Sequence, residues 1–265
     1  MAYDPARHRL VFVGGLHRSG TTLLGRLIAE HPLASGFSNT GVPADEGQHL
    51  QPVYPTAKVF GGPGRFGFHP EAHMTEVSEL VSPDNAARLV EAWRPHWDLD
   101  KPVLVEKSPP NLIRARFLQA LFPAASFVMI MRHPVAVSLA TQKWSKTSLR
   151  SLLAHWLVCH ETLEADRPHL ERLLVVTYEA LVARPKETLD EVLAFLELPS
   201  HPVAAELRSD SNAAYFERWR ALARSPLGRL RLTMLQRAYE QRVSRFGYSL
   251  ADLERAPEQG PNALG

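Results

Sequence analysis

Val11-Phe-Val-Gly-Gly-Leu-His-Arg-Ser-Gly-Thr-Thr-Leu-Leu24 is the stretch on which the reading of this chain turns. A short apolar run ends in a glycine-rich turn, and the turn opens a helical pattern. That layout points backbone N–H groups and the positive end of a helix dipole at an anion. The frame Gly15-x-x-x-x-Gly20-Thr21-Thr22 matches a nucleoside-triphosphate loop at both glycines and at the closing hydroxyl. It fails at the lysine, where Thr21 stands, and the cation comes earlier, at Arg18. With the hydroxyls of Ser19, Thr21 and Thr22 beside that cation, the loop is expected to cradle phosphate-like groups, not a triphosphate with magnesium.

Outward from the loop, strands alternate with helices. Apolar runs at 10–13, 103–105, 127–131 and 173–177 read as buried strands. Amphipathic or capped segments at 21–30, 84–94, 112–121, 148–165, 185–196, 216–222 and 227–246 read as helices. This alternation implies an α/β fold: a three-layer α/β/α arrangement around a mostly parallel sheet, P-loop NTPase-like. The polar clusters fall just after strands, at the carboxyl edge where open α/β sheets bind ligands. Residues 34–70 are rich in Gly, Pro and polar residues and form a long loop of the functional kind. One domain over 1–265 is expected, with the 34–70 loop and helices in 209–250 shaping an acceptor side, and with a frayed polar tail over 255–265.

Composition narrows the classes further. The chain has 265 residues, 45% hydrophobic and 22% charged, enough for a sizeable core. A net charge of +2, without aromatics interleaved in a basic stripe, gives no nucleic-acid signature. Cys159 is the single cysteine, so an intrachain disulfide is impossible; its apolar context makes it a core thiol. No stretch approaches membrane-spanning length, and residues 1–10 lack the apolar core of a signal peptide, so a cytoplasmic location is expected. His69 and His73 could line an acceptor pocket, and their spacing does not make a zinc set.

A second cation, Arg132, directly follows the 127–131 strand and should sit on the same sheet edge as the first loop. Two cationic anion sites on one edge suit a ligand with two separated phosphates. At this point the chain resembles the sulfotransferases that use 3′-phosphoadenosine-5′-phosphosulfate (PAPS), in the branch with tyrosylprotein sulfotransferases and related bacterial enzymes. The resemblance covers roughly 11–198. It rests on His17-Arg-Ser-Gly-Thr-Thr22, Glu106-Lys-Ser-Pro109, Phe127-x-x-x-x-Arg132-His-Pro134 and Tyr178-Glu-x-Leu181-x-x-x-Pro185, in that order.

The resemblance implies a transfer of the sulfuryl group from PAPS to a hydroxyl or amine of a small-molecule, carbohydrate or lipid-linked acceptor. Adenosine 3′,5′-bisphosphate is then the product, and no metal is expected. It places Arg18, Ser19, Gly20, Thr21 and Thr22 around the 5′-phosphosulfate, with Arg18 against the bridge, and gives Lys107 the leaving side. Arg132 then reads the 3′-phosphate. The family's serine eight residues on is replaced here by Ala140, leaving Ser138 or Thr141 as hydroxyl partner. Tyr178 packs near the adenine or closes its strand, and further 3′-phosphate contacts fall within 209–212. For the general base, the family's glutamate is missing from Ser35-Gly-Phe-Ser38. Glu46 is the first candidate and His49 the second, on a loop able to fold over the site; His17 could contact the acceptor or sulfuryl group. Two other readings compete: a P-loop kinase or NTPase, with Glu106 as its metal carboxylate, and a catalytically degenerate binding module of the same fold.

Overall fold

The computed structural model describes residues 3–202 and 212–257. Five strands form one sheet: β1 (Arg9–Gly15), β2 (Ala34–Gly36), β3 (Val103–Lys107), β4 (Ser126–Met131) and β5 (Leu173–Thr177), in the order β2-β3-β1-β4-β5. Every neighbouring pair is parallel. The sheet is fully parallel because a helix or long crossover separates each strand from the next.

Period-2 alternation divides the strands between two cores. Leu10 and Phe12 face one side with Leu104, Phe127 and Met129. Val11 and Val13 face the other with Val105, Val128 and Ile130. On the Val11 side lie α1 (Thr21–Ala29) and, further along the chain, the pair Tyr178–Ala183 and Pro185–Phe195. The Phe12 side carries α2 (Pro83–Trp93), α3 (Ala115–Leu121), α4 (Pro134–Ser145) and α5 (Leu149–Asp166). The Tyr178–Ala183 and Pro185–Phe195 helices are α6 and α7, and α8 (Ala213–Leu222) and α9 (Pro226–Ser244) complete the Phe12 side. The three-layer α/β/α expectation is met.

Three elements depart from the sequence reading: β2, α4 and α6, the last a six-residue helix capped by Thr177 and too short to show an amphipathic period. β2 has only the residues Ala-Ser-Gly, too short and too poor in β-branched side chains to announce itself. α4 occupies the stretch between the 127–131 strand and the 148–165 helix, where the sequence pattern predicts no element. Pro134 occupies its first turn, where its missing N–H costs nothing, and His133 Nδ1 accepts from the Val135 amide as the cap. Eight consecutive residues from Pro134 to Thr141 are buried, so α4 shows no polar face to betray a helical period. Residues 34–70 are otherwise a chain of short 3₁₀ turns packed on the core through Tyr54, Phe60 and Phe66, and not a disordered loop. Of the tail expected to fray, 258–265 lies outside the described residues, as do positions 209–211.

Candidate active site

Register fixes the rim. Val13 of β1 pairs with Lys107 at the end of β3, and Gly15 pairs with Ile130, two residues before Arg132. The first loop therefore leaves the sheet between the two strand ends that carry Lys107 and Arg132.

The loop is built for close approach. Gly15 has φ 153 and Gly20 has φ 107, and a Cβ on Gly20 would stand 2.7 Å from Tyr178 Cδ2. Arg18 itself takes a left-handed φ of 72, which holds its exposed side chain outward. Gly20 is the N-cap of α1; no side chain caps that helix end and no acidic residue stands in its first turn. The orphan N–H groups and the dipole are thus left for an anion. Thr22 is exposed at this end, whereas Thr21 is buried. Ser19 behaves differently from the expectation that its hydroxyl serves a ligand: it is fully buried and Oγ donates to the Leu16 carbonyl at 2.6 Å. It shapes the loop from within.

Arg132 is buried beside this loop. Its Nη1 donates to the Arg18 carbonyl at 3.0 Å and its Nε to Asn212 Oδ1 at 2.8 Å. The guanidinium lies 4.0 Å from the ring centre of Tyr178. Burial pulls its pKa down while Tyr178 and Glu179 pull it up, and a guanidinium in this setting keeps its charge. Tyr178 is therefore packed between Arg132 and the Gly20 turn. Glu179 organises the back of the site: Oε1 accepts from the His133 amide and from Asn212 Nδ2, and Oε2 accepts from the Tyr248 hydroxyl. Asn212 is the one described member of the 209–212 stretch, and it joins Arg132 directly.

On the other side of the loop, Lys107 Nζ donates to the Ala44 carbonyl at 2.5 Å and lies 3.8 Å from Glu46 Oε1. Ala44 and Asp45 have φ of 52 and 49, two consecutive left-handed residues that turn this carbonyl inward. Glu46 is 7% exposed; its Oε2 accepts from Gln48 Nε2 at 2.5 Å and lies 3.6 Å from His49 Nε2. Burial raises the Glu46 pKa, against the lowering effect of Lys107. His17 is held neutral, its pKa pushed down to about 3 by burial first and then by Lys107 and His49. The four groups Glu46, His49, Lys107 and His17 thus share one electrostatic neighbourhood. Asp45, next to Glu46, is occupied instead in holding the Thr40 amide and hydroxyl at 2.8 and 2.6 Å.

Three sequence expectations land elsewhere. Ser138 is buried and lines a small cavity beside His17, and its hydroxyl has no hydrogen-bond partner among the described residues. His73 pairs with Asp166 at 2.8 Å, at the end of α5, the end of the sheet away from this rim. Glu106 is fully buried and accepts from Ser108 Oγ and Asn111 Nδ2, both at 2.5 Å, so it is sealed beneath the rim and not free to ligate magnesium. Sequence reasoning reached Asn212 only as one position of the 209–212 stretch, and missed the parts played by Glu179 and Trp144. The Trp144 ring, 64% exposed at the end of α4, lies 4.6 Å from the Arg18 guanidinium.

A cleft of about 440 Å³ opens beside the rim. Thr22, Arg26, Phe37, Ser38, Asp45 and Lys107 are among its walls, so it shares Thr22 and Lys107 with the loop region.

The sequence model described as "Sulfotransferase family" matches residues 11–202. Protein-tyrosine sulfotransferase 1 of Danio rerio is 27% identical over 199 residues, covering 72% of this chain and 53% of its own length. Protein-tyrosine sulfotransferase of Drosophila melanogaster is 28% identical over 200 residues, covering 72% of this chain and 38% of its own. The chain thus spans about half or less of these relatives. Among solved structures, the sulfotransferase domain from the curacin biosynthetic pathway aligns with a TM-score of 0.47 at 17% identity, over 76% of this chain and 80% of that one.

Proposed function

The chain belongs to the sulfotransferase family, and from that premise we propose that it transfers the sulfuryl group of PAPS to an acceptor hydroxyl or amine. The observation that carries this reading is the bond from Arg132 to the Arg18 carbonyl. It brings two cationic sites onto one rim, which supports a doubly phosphorylated adenosine as the ligand.

In this reading the uncapped end of α1, with Gly20, Thr21 and Thr22, holds the 5′-phosphosulfate. Arg18 leaves Trp144 for the bridging oxygen, and Arg132, oriented by Asn212, holds the 3′-phosphate. Tyr178 acts as the wall between the two. Ser19 supports the loop without touching the donor. The acceptor enters through the cleft beside Lys107. Its oxygen attacks sulfur as the bond from sulfur to the 5′-phosphate oxygen breaks, in line. The acceptor proton passes to Glu46, and adenosine 3′,5′-bisphosphate departs. Negative charge develops on the leaving phosphate and the sulfuryl oxygens, and preorganised N–H groups and cations suit it. Lys107, already 3.8 Å from Glu46, serves the leaving side. His49 is the alternative base, and neutral His17 contacts the acceptor or the sulfuryl oxygens.

A cleft of about 440 Å³ suits a small-molecule, carbohydrate or lipid-linked acceptor. The names of the curated relatives favour a second acceptor, a tyrosine of a polypeptide.

Thermal-shift measurements separate the readings. Adenosine 3′,5′-bisphosphate without metal should raise the melting temperature, increasingly with the logarithm of its concentration above Kd, and ATP with magnesium should not. The reverse pattern would make the chain a kinase or NTPase. Stabilisation by the bisphosphate with no transfer to any acceptor would make it a binding module.

A further inference from the structure

Between the first loop and α4 lies a small internal cavity, about 10 Å³ of space for a water centre, walled by His17, Val137, Ser138, Thr141 and His155 among others. Two polar atoms are buried there without a hydrogen-bond partner among the described residues, His17 Nδ1 and Ser138 Oγ. His155 does not serve them, because its Nε2 already accepts from the Gly67 amide at 3.1 Å. A buried polar atom left unpaired costs about 1–3 kcal/mol. The space is close to the minimum of roughly 10–15 Å³ that one water needs, and two polar partners are enough to hold it.

We propose that a single water molecule occupies this cavity between His17 Nδ1 and Ser138 Oγ, and that through it Ser138 acts as a positioning residue for His17. The ring has two unlike edges. Nδ1 is buried, while the residue as a whole stays partly exposed. In this arrangement Nδ1 carries the proton and donates to the water, which donates in turn to Ser138 Oγ, and Nε2 is left bare. With Nε2 bare, His17 offers an acceptor hydroxyl a lone pair. This last step rests on the sulfotransferase reading above; the water and the tautomer do not.

The test has arms that need no activity. A high-resolution crystal structure of the full chain should show one ordered water within hydrogen-bond distance of both His17 Nδ1 and Ser138 Oγ. In ¹⁵N-histidine NMR, His17 should carry a protonated Nδ1 and a bare Nε2. A dry cavity, a water touching only one of the two, or a bare Nδ1 overturns the proposal. In the transfer assay, Ser138→Ala should lower kcat about two- to tenfold with the donor KM unchanged. In a His17→Ala background, Ser138→Ala should cost nothing more; an equal loss there overturns the coupling. Absence of any sulfuryl transfer would instead sink the function, leaving the crystal and NMR arms to decide the water.

Discussion

Arg132 donates through Nη1 to the backbone carbonyl of Arg18 at 3.0 Å. The side chain at the end of β4 thereby braces the main chain of the loop that follows β1. The Arg18 guanidinium stays free of this bond, exposed against Trp144, while its main chain is held by Arg132. A ligand gripped at both ends closes a circuit that the protein has already half made.

Arg132→Ala should weaken binding of adenosine 3′,5′-bisphosphate about 10- to 100-fold, as expected for a lost charge-assisted contact. Adenosine 5′-phosphosulfate, lacking the 3′-phosphate, should lose much less. Arg132→Lys should not rescue, since an ammonium cannot serve Asn212, the Arg18 carbonyl and a phosphate from one plane. Calorimetric titration of both nucleotides gives the comparison. Equal weakening of the two would remove Arg132 from the 3′-phosphate.

Arg18→Ala should lower turnover about 10²–10³-fold, the usual loss for a donor aimed at developing charge. The side chain is exposed and partnered in its ring contact by Trp144, so circular dichroism and melting should hardly change. Near-normal turnover would refute the role.

Glu46→Gln should cut turnover about 10²–10⁴-fold with donor affinity retained. Burial raises the Glu46 pKa, so the acid limb of the wild-type pH–rate profile should lie above the ordinary carboxylate range, with the rate rising as the proton leaves. The variant should lack that limb. An unchanged rate would pass the role to His49 or His17.

Glu106 offers a stability test that is independent of catalysis. Burial pushes its carboxyl up from 4.5 to about 7. Below 4.5 the group is protonated in both folded and unfolded chains, and its contribution is intact. As pH rises toward 7 the unfolded chain releases a proton that the folded chain retains, so stability falls until both states are ionised. Wild-type melting temperature should therefore drop across this window by more than that of Glu106→Gln. Parallel profiles for the two proteins would contradict the assignment.

Much of this was legible in the sequence, for physical reasons. Each buried parallel strand is an apolar run bounded by polar closers, so β1, β3, β4 and β5 could be read with their functional ends. The glycines and hydroxyls around Arg18 carry their meaning locally. α4 escaped because burial on every side erases amphipathic period, and because its cap is a histidine. The pairing of Glu46 with Lys107 depends on a turn made by Ala44 and Asp45, neither of which usually takes a left-handed backbone. Ser138 was sought as a partner for Arg132 from its distance along the chain, but helical phase turned it toward His17. The contact of Arg132 with Asn212 bridges β4 and the start of α8, and nothing local to either segment encodes it.

That contact bears on how the protein can be divided. The region shared with the family ends at residue 202, and Asn212 lies beyond it. A fragment trimmed to the shared region would retain the whole sheet, the glycine turn and both arginines. It would nonetheless lose the amide that aims one of them, together with the Tyr248 hydroxyl that steadies Glu179 behind it. The helical C-terminal part thus braces Arg132 and Glu179 from outside the segment by which kinship is recognised.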